Sequence, residues 1–293
     1  MKRGYGVLAV VVAVITVFFS LKPALAGDYL EVEPGVEIYY EDKGQGPPIV
    51  IVSGWTFTTE VFAHQLEQLS KTHRVVVLDP RSQGRSTVTL EGNDYITHAS
   101  DLAKVIEALK LQDIVLIGWS FGCLTTWGYI KEKGIDNLKC HVCVDLSPKP
   151  LSVNPGDWVE GPLDEIAGAF PALRTPKGQR DFVAWYADEV MVQRELKPEE
   201  MTWIVGQSAK SPPWVASLLF ASGMFTNHME EAKLLDEKKP SLFIVAEHWA
   251  DTAKAFLGKN FPKTKIEVLG GHMMFWEHPE KFNKILEDFI AGK

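Results

Sequence analysis

The chain has 293 residues, of which 46% are apolar and 23% charged, and carries a formal charge of −8 at neutral pH. That length can bury a large core in one α/β domain or two smaller ones, and the balanced composition excludes disordered, fibrous and collagen-like classes. The acidic balance argues against nucleic acid and anionic lipid as partners.

Residues 1–26 open with Lys2 and Arg3, continue through an apolar run from Val7 to Phe19 and end on Ala24-Leu25-Ala26. This pattern predicts a cleavable signal peptide cut after Ala26, and so a secreted or periplasmic protein. The apolar run is shorter than the roughly 20 residues of a spanning helix, so no membrane span is expected after cleavage. The leader holds three cations, Lys2, Arg3 and Lys22, and no acid, so its removal takes the charge from −8 to −11.

Two short β segments, Tyr29 to Val32 and Val36 to Glu41, are joined by a Pro34-Gly35 turn. The runs "PPIVIVSGW" and "RVVVLDP" are apolar on both faces, as strands of a parallel sheet covered by helices are. Between and after them, Val61, Phe62, Leu66 and Leu69, then Ile96, Leu102, Val105, Ile106 and Leu109, fall at helical spacing. "DIVLIG" predicts the next strand, Phe121 to Glu132 a helix, and "CHVCVDLS" a sixth strand. Its C-x-x-C spacing lies within a strand rather than opening a helix, so Cys140 and Cys143, with Cys123, are expected as buried thiols, a disulfide being the alternative. About ninety residues then pass without a strand, before "SLFIVAE", a helix near Thr252 to Gly258, "TKIEVLGG" and a last helix from Pro279 to Ile290. The predicted organisation is a core of residues 27–147 and 240–293 with a helical cap, 148–239, inserted after the sixth strand. The cap's many aromatics are expected to form its own core and its seat, with some lining an apolar pocket.

The stretch "GWSFG" places Ser120 between Gly118 and Gly122, where a strand ends and a helix begins. That is the strand-turn-helix setting of a nucleophile elbow, and it turns the Phe121 amide toward a developing oxyanion. A serine needs a base, and His272 in "GGHMMFWEHPEKF" follows a strand at the same sheet edge and lies later in the chain.

"VSGW", "LDPRSQGRS", "GWSFG" and "GGHMMFWEHPEKF" together resemble the α/β-hydrolase superfamily over nearly all of the chain beyond the leader, most closely its small esterases and cofactor-free haloperoxidases or perhydrolases. The resemblance implies a mostly parallel central sheet flanked by helices, no metal or organic cofactor, and the Trp55 amide as second oxyanion donor. It also implies a loop-shaping role for Arg81, Gly84 and Ser86. Many relatives have His-Gly where this chain has Ser53-Gly54, so a histidine that braces that loop is lost.

Relatives place the triad acid in a Gly-x-x-Asp turn after the seventh strand; here "SLFIVAEHWADTA" has Ala246 for the glycine, leaving Asp251 or Glu247. Asp145, after the sixth strand, is the other option, and is favoured because a strand end fixes a side chain better than a loop. Asp79, Glu277 and His278 are expected to be structural or solvated. The expected activity is hydrolysis of a small carboxylic ester with an apolar portion, through an acyl-serine on Ser120. The alternatives are acyl transfer to peroxide, C–C bond hydrolysis and binding of a small ligand on a hydrolase-like shell.

Overall fold

The computed structural model describes residues 27–154 and 156–293; the predicted leader, 1–26, lies outside the described residues. Eight strands form one sheet: β1 (Asp28–Glu33), β2 (Val36–Lys43), β3 (Pro48–Val52), β4 (Arg74–Leu78), β5 (Ile114–Trp119), β6 (Leu138–Val144), β7 (Ser241–Val245) and β8 (Lys265–Val268). Their order is β1-β2-β4-β3-β5-β6-β7-β8. The six strands from β3 onward run parallel, while β1 and β2 form an antiparallel hairpin against β4. The runs that are apolar on both faces become the central strands, with Ile49 to Val52, Val75 to Leu78 and Ile114 to Ile117 at most 2% exposed.

The chain winds from β3 outward to β4, returns through the middle, and then winds the other way from β5 to β8. Right-handed crossovers running in opposite directions fall on opposite faces. Accordingly α1 (Ala63–Leu69) packs with the C-terminal helix, while α2 (Tyr95–Ala108) and α3 (Gly122–Lys133) pack together. The C-terminal helix, Pro279–Ile290, has the predicted bounds. Winding reverses between β3 and β5, so the loops at their carboxyl ends flank the switch point where open α/β sheets bind ligands.

One residue departs from the predicted helix faces. Ile96 is 84% exposed, because Tyr95, one position earlier, takes the buried place at the start of α2. The three cysteines are buried free thiols, as expected, with Cys143 Sγ donating to Cys123 Sγ at 3.0 Å.

Between β6 and β7 come α4 (Leu163–Leu173), α5 (Pro176–Tyr186), α6 (Pro198–Ser208), α7 (Pro213–Met224) and α8 (Met229–Lys238). Within this stretch α8 packs on α3 as the crossover between β6 and β7, and α4, α5 and α7 pack on one another. Trp158 is fully buried and meets Phe243 of β7 edge to face, seating the insertion on the sheet. Not all the cap's aromatics are packed: Trp185 and Phe225 are 55% and 71% exposed, and Trp185 belongs to the lining of a cavity between cap and core. Among the described residues no helix is long and apolar enough to cross a membrane.

Candidate active site

Ser120 turns the chain from β5 into α3 at φ +52. This left-handed conformation costs a non-glycine residue on the order of 1–3 kcal/mol and persists only where surrounding structure fixes it. Here the Ser120 N–H donates to the Val144 carbonyl at 2.8 Å, and the Ser120 carbonyl accepts from the Cys123 N–H at 2.8 Å. Both flanking glycines are required by close backbone approach. A Cβ on Gly118 would lie 2.6 Å from the Cys123 backbone, and one on Gly122 would lie 2.4 Å from the Val52 carbonyl oxygen.

The loop after β3 meets the same point. A Cβ on Gly54 would come within 2.9 Å of Ser120 Cβ, so only glycine lets Trp55 approach this closely. No hydrogen bond among the described residues uses the backbone N–H of Trp55 or Phe121. Side chains brace this loop: Ser53 Oγ donates to the Phe57 carbonyl at 3.0 Å, and Gln83 Nε2 donates to the Gly54 and Phe57 carbonyls at 3.0 and 2.9 Å. The Trp55 indole reaches away from the loop and donates to the Ala216 carbonyl of α7 at 2.8 Å, tying the cap to it.

His272 is buried, and its ring Nδ1 lies 2.6 Å from Asp145 Oδ2. The second carboxylate oxygen, Oδ1, accepts from the Ala246 N–H at 2.8 Å. A carboxylate only accepts, so Nδ1 carries a proton and Nε2 is the nitrogen left to exchange one. Asp145 sits at φ +54, just past the end of β6, its own N–H bonded to the Ile244 carbonyl at 2.9 Å. The histidine loop is held from the cap: His272 and Met273 N–H groups donate to the Val190 and Met191 carbonyls at 3.0 and 2.8 Å. A Cβ on Gly271 would lie 2.6 Å from the Met191 oxygen, so this approach also needs glycine. The Trp119 indole donates to the His272 carbonyl at 2.8 Å, and the Tyr186 ring stands 5.4 Å from the imidazole, edge to face.

The structure therefore brings Asp145 to His272 and leaves the other two acids apart. Asp251 is exposed in the first turn of α9 (Ala250–Asn260), and Glu247 is exposed, accepting from Gln193 Nε2 at 3.1 Å. The remaining polar residues of the motifs hold loops. Asp79 accepts from the Thr59 and Arg85 N–H groups at 2.6 and 2.9 Å, with burial pushing its carboxyl up to about 6. Arg81 pairs with Asp101 through two nitrogens, and Glu277 accepts from the Gln193 N–H.

Ser120 opens into a cavity between core and cap, lined among others by Trp55, Phe121, Phe182, Tyr186 and Phe220 and enclosing about 160 Å³. Its wall also holds Glu160, whose carboxyl is pushed up to about 8, chiefly by burial and then by the charge of Asp145. Burial, reinforced by the same two acids, raises the Tyr186 phenol well above its ordinary value. Neither residue was marked in the sequence, where Glu160 is one acid in an irregular loop and Tyr186 one aromatic among many. Among the described residues no group of three His, Cys, Asp or Glu is placed to hold a metal ion.

Comparison with known proteins agrees with this geometry. The sequence profile of the alpha/beta hydrolase fold family matches residues 47–279. A non-heme chloroperoxidase of Streptomyces lividans is 40% identical over 281 residues, covering 88% of this chain and 97% of that protein. Among solved structures, a bromoperoxidase from Bacillus anthracis superposes with a TM-score of 0.81 at 22% identity, over 91% of this chain and all, 100%, of that one. An esterase from Exiguobacterium antarcticum superposes at 0.79 and 22% identity, over 90% and 99%. The chain belongs to the alpha/beta hydrolase family, as an enzyme with haloperoxidase and esterase relatives.

Proposed function

We propose that the protein is a serine esterase acting on small carboxylic esters, with Ser120 as nucleophile, His272 as general base and acid, and Asp145 as the acid that orients it. The observation that carries this reading is the Asp145–His272 pair of 2.6 Å at the same sheet edge as a serine held at φ +52. Ser120 Oγ bonds to the ester carbon as its proton passes to His272 Nε2, and the carbonyl electron pair moves onto oxygen, held by the Trp55 and Phe121 N–H groups. Collapse expels the alcohol, which takes the proton from Nε2. Water then attacks the acyl-serine, giving up a proton to the same nitrogen and releasing the acid and free serine.

The names of the relatives favour a second acceptor. Hydrogen peroxide in place of water would turn the acyl-serine into a peracid and free serine, and the peracid would oxidise halide.

A fluorophosphonate probe tests the first reading. Labelling mapped to Ser120, absent in Ser120→Ala and His272→Ala, is expected; a folded wild-type protein that stays unlabelled would overturn it. Peracid formation on adding peroxide and acetate tests the second acceptor. We also infer export, for which the protein recovered outside the cytoplasm should begin at Gly27.

A further inference from the structure

The cavity beside Ser120 combines aromatic walls with negative charge. Trp55 stands edge to face with Phe182 at 5.8 Å and tilted to Phe220 at 5.7 Å, while Phe182 continues the wall to Trp185 and Tyr186 at 5.8 and 6.2 Å. Two carboxyl groups, Glu160 and Glu165, share this lining with no lysine or arginine. Glu160 receives one long hydrogen bond, from the Ser147 N–H at 3.5 Å, and no cation among the described residues is one of the groups that act on it. Its own N–H donates to the Pro150 carbonyl at 2.9 Å, which fixes the backbone from which the half-buried side chain enters the lining.

A carboxylate partly withdrawn from water without a partner is costly, whereas one facing a cation is compensated. Aromatic faces attract the same cation through their quadrupoles, most strongly where water is excluded. An ester bearing a carboxylate would meet Glu160, with Asp145 behind it, and be repelled. We propose that this cavity is a cation-selecting subsite, in which Glu160 and the surrounding rings favour esters carrying a quaternary ammonium or amine over neutral and anionic ones. This deepens, and rests on, the reading of Ser120 as the esterase nucleophile.

The selectivity should depend on pH. The ionisable groups around Glu160 are Asp145 at the end of β6, Tyr186 on α5 and Glu165 on α4, with His272 in contact with both Asp145 and Tyr186. With its carboxyl raised to about 8, Glu160 is ionised in a minority of molecules at pH 7 and in most at pH 9. A ligand that needs the ionised form gains by the ratio of those fractions, about tenfold.

The test compares acetylthiocholine with its uncharged isostere 3,3-dimethylbutyl thioacetate and with S-acetyl-3-mercaptopropanoate. The permanent charge of the first removes titration of the substrate, and the ratio to the neutral thioester cancels the pH dependence of the triad. The cationic-to-neutral ratio of kcat/KM is expected to exceed ten at pH 9, to fall about tenfold by pH 7 and to approach one in Glu160→Gln, with the anionic thioester slowest. A ratio of one or below, with the neutral thioester turned over and Ser120 labelled, overturns the cation subsite and leaves the esterase reading standing. If no ester is cleaved and no serine labelled, the esterase reading fails, and binding decides the subsite separately. Phenyltrimethylammonium should quench tryptophan fluorescence of Ser120→Ala, more tightly at pH 9 than at pH 7; absence of binding overturns the proposal. Because both pH series use protein with Glu160 intact, misfolding of Glu160→Gln would not shield the proposal from refutation.

Discussion

Asp145→Asn should leave the fold intact and abolish most of the activity. The two carboxylate oxygens have different partners: Oδ1 accepts from the Ala246 N–H at 2.8 Å, and Oδ2 faces His272 Nδ1 at 2.6 Å. An asparagine must keep its oxygen toward Ala246, because the reverse orientation would set its NH2 against a backbone N–H. Its NH2 then faces Nδ1, which must accept, and the ring proton moves to Nε2, the position from which the serine proton has to be taken. The expected loss in kcat is about 10⁴-fold, about 5 kcal/mol of transition-state stabilisation, with thermal stability nearly unchanged. Hydrolysis of an activated aryl acetate by wild type, Asp145→Asn, Asp251→Asn and Glu247→Gln gives the answer, the last two expected within about twofold of wild type since both residues are exposed. An Asp145→Asn enzyme retaining a tenth of the activity, or a comparable collapse in Asp251→Asn, would refute this reasoning.

Ser120→Gly should be more stable than Ser120→Ala by about 1 kcal/mol, because glycine alone relieves φ +52; equal stabilities in calorimetry would mean that the turn is unstrained. In Gly122→Ala the new methyl would lie 2.4 Å from the Val52 carbonyl oxygen, backbone that cannot swing aside, so fluorophosphonate labelling should be lost and solubility reduced. Labelling at the wild-type rate in that variant would contradict the close packing of the elbow on β3. Acid should destabilise the protein through two buried histidines, His98 and His141, whose pKa values burial pushes down from 6.5 to about 4 and about 3. Both folded values lie below the unfolded one, so the unfolded chain binds protons first; stability is full above pH 6.5 and falls by about 1.4 kcal/mol per unit per ring as pH drops toward 4. Tm measured from pH 7 to pH 4.5 should fall and the fall should be shallower in His98→Phe; a flat wild-type profile would show that these rings are not held neutral.

Strands and elbow were legible in the chain because each is local. A run such as Ile49 to Val52, apolar on both faces, has no place except inside a covered sheet, and a serine between two glycines after such a run has few uses other than a tight turn. The same locality explains why Ser120 and His272 could be named: each stands at the end of a strand, and parallel strands bring their carboxyl ends to one edge.

Three features depended on residues far apart in sequence. Which acid serves His272 turned on Asp145 and Ala246 meeting across the neighbouring ends of β6 and β7, a contact spanning a hundred residues of chain. How the loop after β3 is braced was decided by Gln83, which arrives from beyond β4. The selectivity proposed for the cavity rests on Glu160, an acid in irregular chain that shares a lining with Ser120 only in the folded protein. Composition and periodicity record which side chains want to be buried; the partners they find inside are set by the closure of the sheet and the docking of the cap, which only the tertiary structure determines.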